Sequence, residues 1–456
     1  MASGAAPHVA ATPAPDAPAA AAAPHVAATP ALRADVERLA FQLDDCWRRY
    51  QTRDAWRSAL AELRSARGEV EATFERLAAL TDPGELLSAA APLGATGFSW
   101  AAELDGLGLP QAAFSIFVAK LLEAVDQRAT DVPETVAASV FMAAGLRMPH
   151  MEGGARGHPL LQQSLLIRTR MLGAGSPEAL DAAHALGVCW RAMGEHAAAQ
   201  AVLKEAYDGC KRLLGPGHPT TLQSLRALAA CLFDQRKMSA AEPLLRVALA
   251  GQEAALGADH PIALETVGWL GKCCLRREDY AAAEPLLRRS LEGFAAALGD
   301  THGRTVAARK PLTAVLMRLQ RGAEAVPLLR LEVDDYSRTL GAAHTETIGA
   351  TVSLGACLYT QGLHAELLER LRPLLPVAKE VLGVDSDTTA DLLLLLATSL
   401  AATGRWAEAR ELAAGELPAL RAVRPSHAAV QTLQSVLDIV DTGHATSSAA
   451  RGGGAS

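Results

Sequence analysis

Glycine recurs through the middle of the chain at intervals of 42 residues, with no shift in the spacing. Each of these glycines ends a largely apolar segment, and in the first three copies a proline follows four residues later. Glycine stops helices because it adopts positive φ with little strain, whereas proline begins helices but does not continue them. A fixed period of this length predicts stacked helical units in a solenoid. The glycines are Gly173, Gly215, Gly257, Gly299, Gly341 and Gly383.

A leucine repeats with the same 42-residue period, and the residue after it is Gly, Ala or Thr in every copy. A small residue at this place lets two helices approach closely. Turn signals such as Met193-Gly194-Glu195 lie farther along each unit. The predicted unit is therefore a helix, a short turn, a second helix and a glycine stop. The leucines are Leu186, Leu228, Leu270, Leu312, Leu354 and Leu396.

The corners at 214–219 and 256–261 have the pattern Leu-Gly-x-x-His-Pro, and Tyr280 to Leu287 reads YAAAEPLL. These segments resemble tetratricopeptide repeats, and among them the 42-residue kinesin light chain type. The resemblance covers roughly residues 129–424, by the period of the units. It implies an all-α, right-handed helical solenoid that holds partner proteins and has no catalytic activity.

Composition divides the chain into four parts. Residues 1–31 are rich in Ala and Pro and are predicted to be a disordered tail. Residues 32–128 are predicted to be a helical segment, with turn signals at 81–84 and 105–108 and a helix from Gln111 to Gln127. The repeat array is predicted over 129–440, with one degenerate unit, six clear units and a capping helix from Ala428 to Val440. Residues 441–456 are predicted to be a second disordered tail.

The segment 32–80 contains an apolar seam whose members lie alternately four and three residues apart, as in a coiled coil. The seam is interrupted at Arg53 and is shorter than a coiled coil requires. Two interpretations follow. By the resemblance, the seam joins a kinesin heavy chain; alternatively, it is a helix or helical hairpin packed against the solenoid. The first run of the seam comprises Leu32, Val36, Leu39, Leu43, Cys46 and Tyr50.

Net charge and cysteine content narrow the function classes. The net charge is −7, which disfavours bulk nucleic-acid binding. No apolar run has the length of a membrane span, and the first 30 residues lack a secretory signal pattern. Four of the seven cysteines, Cys189, Cys231, Cys273 and Cys357, occupy equivalent places and are predicted to be buried thiols. An odd count without a disulfide framework indicates a reducing compartment, so we expect a cytoplasmic protein.

No catalytic or cofactor motif is evident. The sequence contains neither a phosphate-binding glycine loop nor a nucleophile elbow, and no Cys or His pair has zinc spacing. The corner histidines at 218, 260, 302 and 344 are too far apart in a solenoid to bind one metal ion. We expect them to hydrogen-bond at the helix starts. The chain is therefore predicted not to be an enzyme and to need no metal or cofactor.

The first helix of each unit is expected to line the concave inner face. Counting from each fixed leucine places basic residues on this face in units one to four and mainly apolar residues in units five and six. We predict that the face binds acidic peptide segments, with an apolar anchor in the last two units. The alternative is an ordinary solvated helix surface. The predicted binding residues are Arg191, Arg226, Lys272, Arg276, Lys310, Arg318, Val352, Tyr359 and Leu394.

These features favour a protein–protein interaction scaffold similar to kinesin light chain. One alternative is a generic tetratricopeptide-repeat scaffold without a motor. Another is the regulatory subunit of an enzyme complex whose catalytic chain is separate. An enzyme in its own right is a third interpretation, for which the unassigned segment 81–128 is the only candidate.

Overall fold

The computed structural model of this chain describes residues 27–93, 111–127, 134–147 and 157–452. Every regular element among these residues is a helix, which confirms the predicted all-α class. Residues 1–26, the turn predicted at 105–108 and the boundary predicted at 128–129 lie outside the described residues. No described helix combines the length and hydrophobicity needed to cross a membrane.

The N-terminal segment forms a compact group of helices. The turn predicted at 81–84 begins one of them: Asp82 caps its start by accepting a hydrogen bond from the Glu85 backbone N–H at 2.7 Å, and Pro83 takes the first helical position. The helix predicted from Gln111 to Gln127 has these bounds in the structure. The helices are α1 (Pro30–Tyr50), α2 (Trp56–Ser65), α3 (Arg67–Ala78), α4 (Pro83–Ala90) and α5 (Gln111–Gln127).

The apolar seam of 32–50 lies on α1 and faces the chain's own core. Its six members are at most 3% exposed, and they share one core with residues such as Phe74, Leu77, Phe117 and Leu121 of α3 and α5. Because the seam is already covered, it offers no surface to a second chain. The burial of the seam favours the alternative interpretation, helices packed against the solenoid, over a two-chain coiled coil.

The N-terminal helices also contact the corners of the repeat array. The Nε2 atom of His260 lies 3.0 Å from the backbone carbonyl oxygen of Tyr50. Arg64 donates a hydrogen bond to the backbone carbonyl of Ala297 at 3.0 Å. Leu256 belongs to the same apolar core as α1. The N-terminal helices thus brace the corners at 256–260 and 298–302.

One degenerate unit precedes six helical pairs. Each first helix of the six pairs has 16 residues. In the fifth pair Pro373 divides the second helix, because proline lacks an N–H and clashes with the carbonyl one turn earlier. The degenerate unit is α6 (Glu134–Arg147) and α7 (Gly157–Leu172), and the pairs are α8 (Pro177–Ala192) and α9 (His196–Leu214), α10 (Pro219–Asp234) and α11 (Met238–Leu256), α12 (Pro261–Arg276) and α13 (Tyr280–Leu298), α14 (Gly303–Arg318) and α15 (Gly322–Thr339), α16 (Thr345–Thr360) with α17 (His364–Leu371) and α18 (Leu374–Leu382), and α19 (Asp387–Ala402) and α20 (Trp406–Val423).

The corner between units has a repeated local structure. The corner glycines have φ between +83° and +95°, and at Gly215 and Gly257 ψ is 165° and 156°. Almost no residue other than glycine adopts this extended conformation with positive φ. The corner therefore restricts the residue type more strictly than a left-handed helical conformation would. The next helix is capped by the corner histidine. For example, Nδ1 of His344 accepts a hydrogen bond from the Glu346 backbone N–H at 3.2 Å, which confirms the predicted hydrogen bonding at helix starts.

Inside each unit the two helices are in close contact. The six fixed leucines are at most 8% exposed. A Cβ atom at Gly187 would lie 2.5 Å from Cγ of Leu203, and one at Gly271 would lie 2.6 Å from Cγ of Leu287. The small residue after the fixed leucine is therefore required by packing, as predicted. The four equivalent cysteines are likewise free and buried.

The C-terminal end is covered by a longer helix than predicted. This helix, α21, spans Ala428–Gly452, whereas the sequence predicts its end at Val440 and a disordered tail over 441–456. The helix thus continues past the predicted end at Val440, and the predicted disorder of 441–456 stays a prediction. The reason lies in composition: no proline follows residue 425, and within residues 426–456 consecutive glycines occur only from Gly452 onwards.

Candidate functional site

The sequence predicts that the first helices line the inner face, and we use this assignment to describe the site. A groove of about 470 Å³ in units four to six has lining residues mainly from α14, α16 and α19. Lys310 and Val352, two of the predicted binding residues, are among them. The inner face is not uniform, however. It has a basic and aromatic part in units one to three and an acidic part in units four to six.

The part in units one to three surrounds two aromatic rings. Phe233 and Trp269 meet edge to face with ring centroids 5.5 Å apart. The Lys272 ammonium lies 4.3 Å from the Trp269 ring centroid, and the Arg276 guanidinium lies 5.3 Å from that of Phe233. Cations attracted to ring faces are held in place without an opposing carboxylate. We call this set the basic–aromatic cluster: Arg191, Arg226, Phe233, Asp234, Glu265, Trp269, Lys272 and Arg276.

Two of the predicted basic residues in this cluster already have carboxylate partners. Arg191 donates to Asp234 at 2.7 Å, and the buried Arg226 is paired with Glu265 of the next unit. These two bases are therefore already paired in the free protein, each with an acidic residue one unit away. Four cations against two carboxylates still leave the cluster with an excess of positive charge.

Burial changes the protonation of groups in and beside the cluster. Burial, together with the Arg226 guanidinium, lowers the pKa of His184 to about 4, so this histidine is neutral near pH 7. Burial also lowers the pKa of Lys272. Burial alone would raise the pKa of Glu265, but the nearby Arg226 lowers it below the ordinary value. The ion pair between Arg226 and Glu265 therefore stays charged, and the cluster's excess positive charge comes from its remaining bases.

The groove in units four to six has the opposite sign. Its charged lining residues are one base and three acids, and Lys310 forms an ion pair with Glu346 at 3.0 Å. Lys310 therefore also has a carboxylate partner in the free protein. We call this region the acidic groove; it is lined by Lys310, Glu332, Glu346 and Asp391, with Ala314, Met317, Leu329 and Val352 among its apolar residues.

Three predicted residues belong neither to the basic–aromatic cluster nor to the lining of the acidic groove. Arg318 is exposed and forms no ion pair with any residue that the structure describes. The Tyr359 ring lies edge to face with His364 at 5.4 Å, outside the groove. Leu394 packs against the interior of the last units. Of the predicted apolar anchor, only Val352 lines the acidic groove.

Sequence reasoning missed Glu332, because this residue lies on α15, a second helix, and only first helices were considered. A signal was present in the repeat frame. The equivalent places in the three preceding units hold Ala206, Ala248 and Ser290, all at most 1% exposed. A carboxylate at a place that is otherwise small and buried is unusual. Glu332 is itself only 2% exposed.

The comparisons with known proteins agree with this fold. Residues 188–254 and 346–414 match the family model described as tetratricopeptide repeat. The chain thus contains tetratricopeptide repeats, and its architecture is that of a tetratricopeptide-repeat solenoid. No curated protein sequence matches it.

Solved structures with low sequence identity resemble the chain. A Rap protein complexed with competence and sporulation factor is 13% identical, with 90% of this chain and 99% of that chain covered and a TM-score of 0.51. This likeness shows the fold alone. The kinesin light chain-like repeats of Podosopora anserina are 22% identical over 45% of this chain and 97% of theirs, with a TM-score of 0.39. The apo quorum sensor NprR of B. thuringiensis is 14% identical over 82% and 97%, with a TM-score of 0.46.

Proposed function

We propose that this chain is a non-catalytic scaffold whose inner face binds an extended acidic segment of a partner protein. The basic–aromatic cluster carries the proposal. Its rings offer flat apolar contact area, and aromatic and arginine side chains dominate binding energy at protein interfaces. Its excess positive charge steers acidic partners toward the face although the protein as a whole is acidic.

In this proposal no partner protein binds at the N-terminal seam. Leu39 and Leu43 are at most 2% exposed within the chain's own core, so a kinesin heavy chain would have to displace that core to use them. The proposed role is therefore a repeat scaffold that works through its inner face.

The test compares two arginines at equivalent places in successive units. Arg276 lies beside the Phe233 ring, whereas Arg318 has no such ring contact with any described residue. Full-length protein is first screened against a random nine-residue peptide library, and dissociation constants are then measured by fluorescence anisotropy at several salt concentrations. Arg276→Glu should lower the affinity for acidic peptides by about tenfold and reduce its salt dependence. The reversed charge replaces attraction by repulsion toward as many as two carboxylates of the peptide.

Arg318→Glu is the matched control and should change the affinity less than threefold. Both variants should keep the wild-type melting temperature, because both side chains are exposed. Selected peptides without an acidic excess, or equal effects of the two variants, would show that the cluster is an ordinary solvated surface.

A further inference from the structure

The acidic groove contains a carboxylate that the fold leaves without a partner. Oε2 of Glu332 is buried and accepts no hydrogen bond from any residue that the structure describes. Buried polar atoms are almost always hydrogen-bonded, and a buried unpaired carboxylate is strongly unfavourable. Glu332 is nevertheless one of the residues that line the groove, so its buried carboxylate lies at the groove wall.

The two cations near Glu332 are both engaged elsewhere. Arg309 is paired with Asp335 and also donates to the backbone carbonyl of Asp300 at 2.6 Å. Lys310 is paired with Glu346 at 3.0 Å. Neither cation donates a hydrogen bond to Oε2 of Glu332, and burial raises the pKa of Glu332 although the charges of Lys310 and Arg309 lower it.

A second carboxylate lies in the same groove. Asp391 is half exposed, and Nε2 of His427 lies 3.7 Å from its Oδ1. After the pair of Lys310 and Glu346 is set aside, Glu332 and Asp391 give the groove an excess of negative charge. Apolar groups of Met317 and Val352 complete the lining. Carboxylates beside apolar walls suit a cation on an alkyl stem.

We infer that the acidic groove binds the side chain of a lysine or arginine in the bound partner segment, with Glu332 as the principal carboxylate. This inference rests on the proposed function, since the partner is the same peptide. The bound segment must then carry acidic residues where it contacts units one to three and a basic residue where it contacts units four to six. This pattern sets the direction in which the segment lies along the solenoid.

The experiment uses the full-length chain and peptides selected from the random nine-residue library. In each selected peptide, lysine is replaced by norleucine and arginine by citrulline, which removes the charge and keeps the stem. We expect the replacement to weaken binding to the wild-type protein by about tenfold or more. The same replacement should have little effect on binding to Glu332→Gln, because the carboxylate that recognises the cation is absent there.

Glu292→Gln is the matched control, since Glu292 is an exposed residue of α13 outside the groove. It should behave as wild type. Glu332→Gln should raise or preserve the melting temperature of the free protein, because it removes an unpaired buried charge. A variant that loses both peptide affinity and stability would overturn the inference in favour of a structural role for Glu332.

The other outcomes are distinguishable. If no peptide binds, the proposed function itself is wrong, and this inference with it. If peptides bind without any dependence on a cation, or if the replacement weakens binding equally for the Glu332→Gln and Glu292→Gln variants, the inference alone is overturned. Cadaverine serves as a free diamine probe. If cadaverine binds as tightly as the peptide, the groove recognises a small amine instead of a peptide side chain.

Discussion

Corners with the same motif lie in different surroundings along the array. Leu256 and His260 are both completely buried beneath the N-terminal helices. At the equivalent places one unit earlier, Leu214 is 37% exposed and His218 is also exposed, and Leu340 two units later is 45% exposed. Each corner histidine still caps its helix through Nδ1. Local structure is thus set within the unit, whereas burial depends on a segment some 200 residues away in the sequence.

The largest expected effect comes from unfolding the N-terminal helices that cover the corner at 256–260. Leu39→Asp combined with Leu43→Asp places two charges in the core of the N-terminal helices, each costing several kcal/mol. We expect these helices to unfold and the corner at 256–260 to become exposed. Hydrogen exchange should then show loss of protection at α1 and at Ile262. Exchange rates that change only in α1 would mean that the brace does not protect the corner.

A matched pair of substitutions measures how much the brace contributes at one corner. Leu256→Ala should lower the free energy of unfolding by about 2–5 kcal/mol, because it leaves a cavity in a closed core. Leu214→Ala, at the equivalent but exposed place, should lower it by less than about 1 kcal/mol. Urea denaturation of both variants checks the difference. Equal losses would contradict the contrast between the two corners.

The buried corner should also respond to pH. Burial lowers the pKa of His260 to about 4, with the Tyr50 carbonyl raising it and Arg304 lowering it. The folded protein therefore binds fewer protons than the unfolded chain between about pH 4 and 6.5, so stability is lost as the pH falls through this window. The loss is on the order of 1–3 kcal/mol per histidine.

The measurement for this prediction is the urea midpoint of the wild type and of His260→Gln between pH 4.5 and 8. Glutamine keeps a donor and an acceptor but does not titrate. We expect a smaller decrease toward low pH in the variant and similar slopes above pH 7. His184 and His302 have the same lowered pKa and remain in both proteins, so part of the decrease persists.

The smallest expected effect concerns the ion pair at the edge of the brace. Arg57 lies 3.1 Å from Asp259, and both side chains are more than two-thirds exposed. Arg57→Ala should lower the free energy of unfolding by less than about 1 kcal/mol, and the difference should shrink at high salt. A loss comparable to that of Leu256→Ala would mean that polar contacts, and not apolar burial, hold the N-terminal helices in place.

The repeat array could be predicted from sequence because its determinants lie within one unit. Gly215 requires positive φ, His344 caps its own helix, and Gly187 must be small because Leu203 fills the space above it. These requirements repeat every 42 residues and are visible as a period. The extent of the last helix was mistaken because alanine and serine after Val440 permit helix as readily as coil.

The candidate site could be predicted only in part. The position of Lys272 and Arg276 on the inner face follows from the helix period. Their placement beside aromatic rings, and the pairing of Arg226 with Glu265, depend on the distance between successive units, which the period does not give. The sequence pattern also does not show what packs against the α1 seam. A heptad pattern of leucines is the same whether the seam packs within one chain or between two chains.

The brace across two central corners has a mechanical consequence. In a solenoid each unit contacts mainly its neighbours, so small rotations between units add up and the whole array bends and twists as an elastic rod. Helices fixed to the corners at 256–260 and 298–302 stiffen the middle of that rod. Changes in curvature are then confined to the two ends. Under the proposed function, units one and two and units five and six would close on the partner segment from opposite sides, at a distance fixed by the stiff centre.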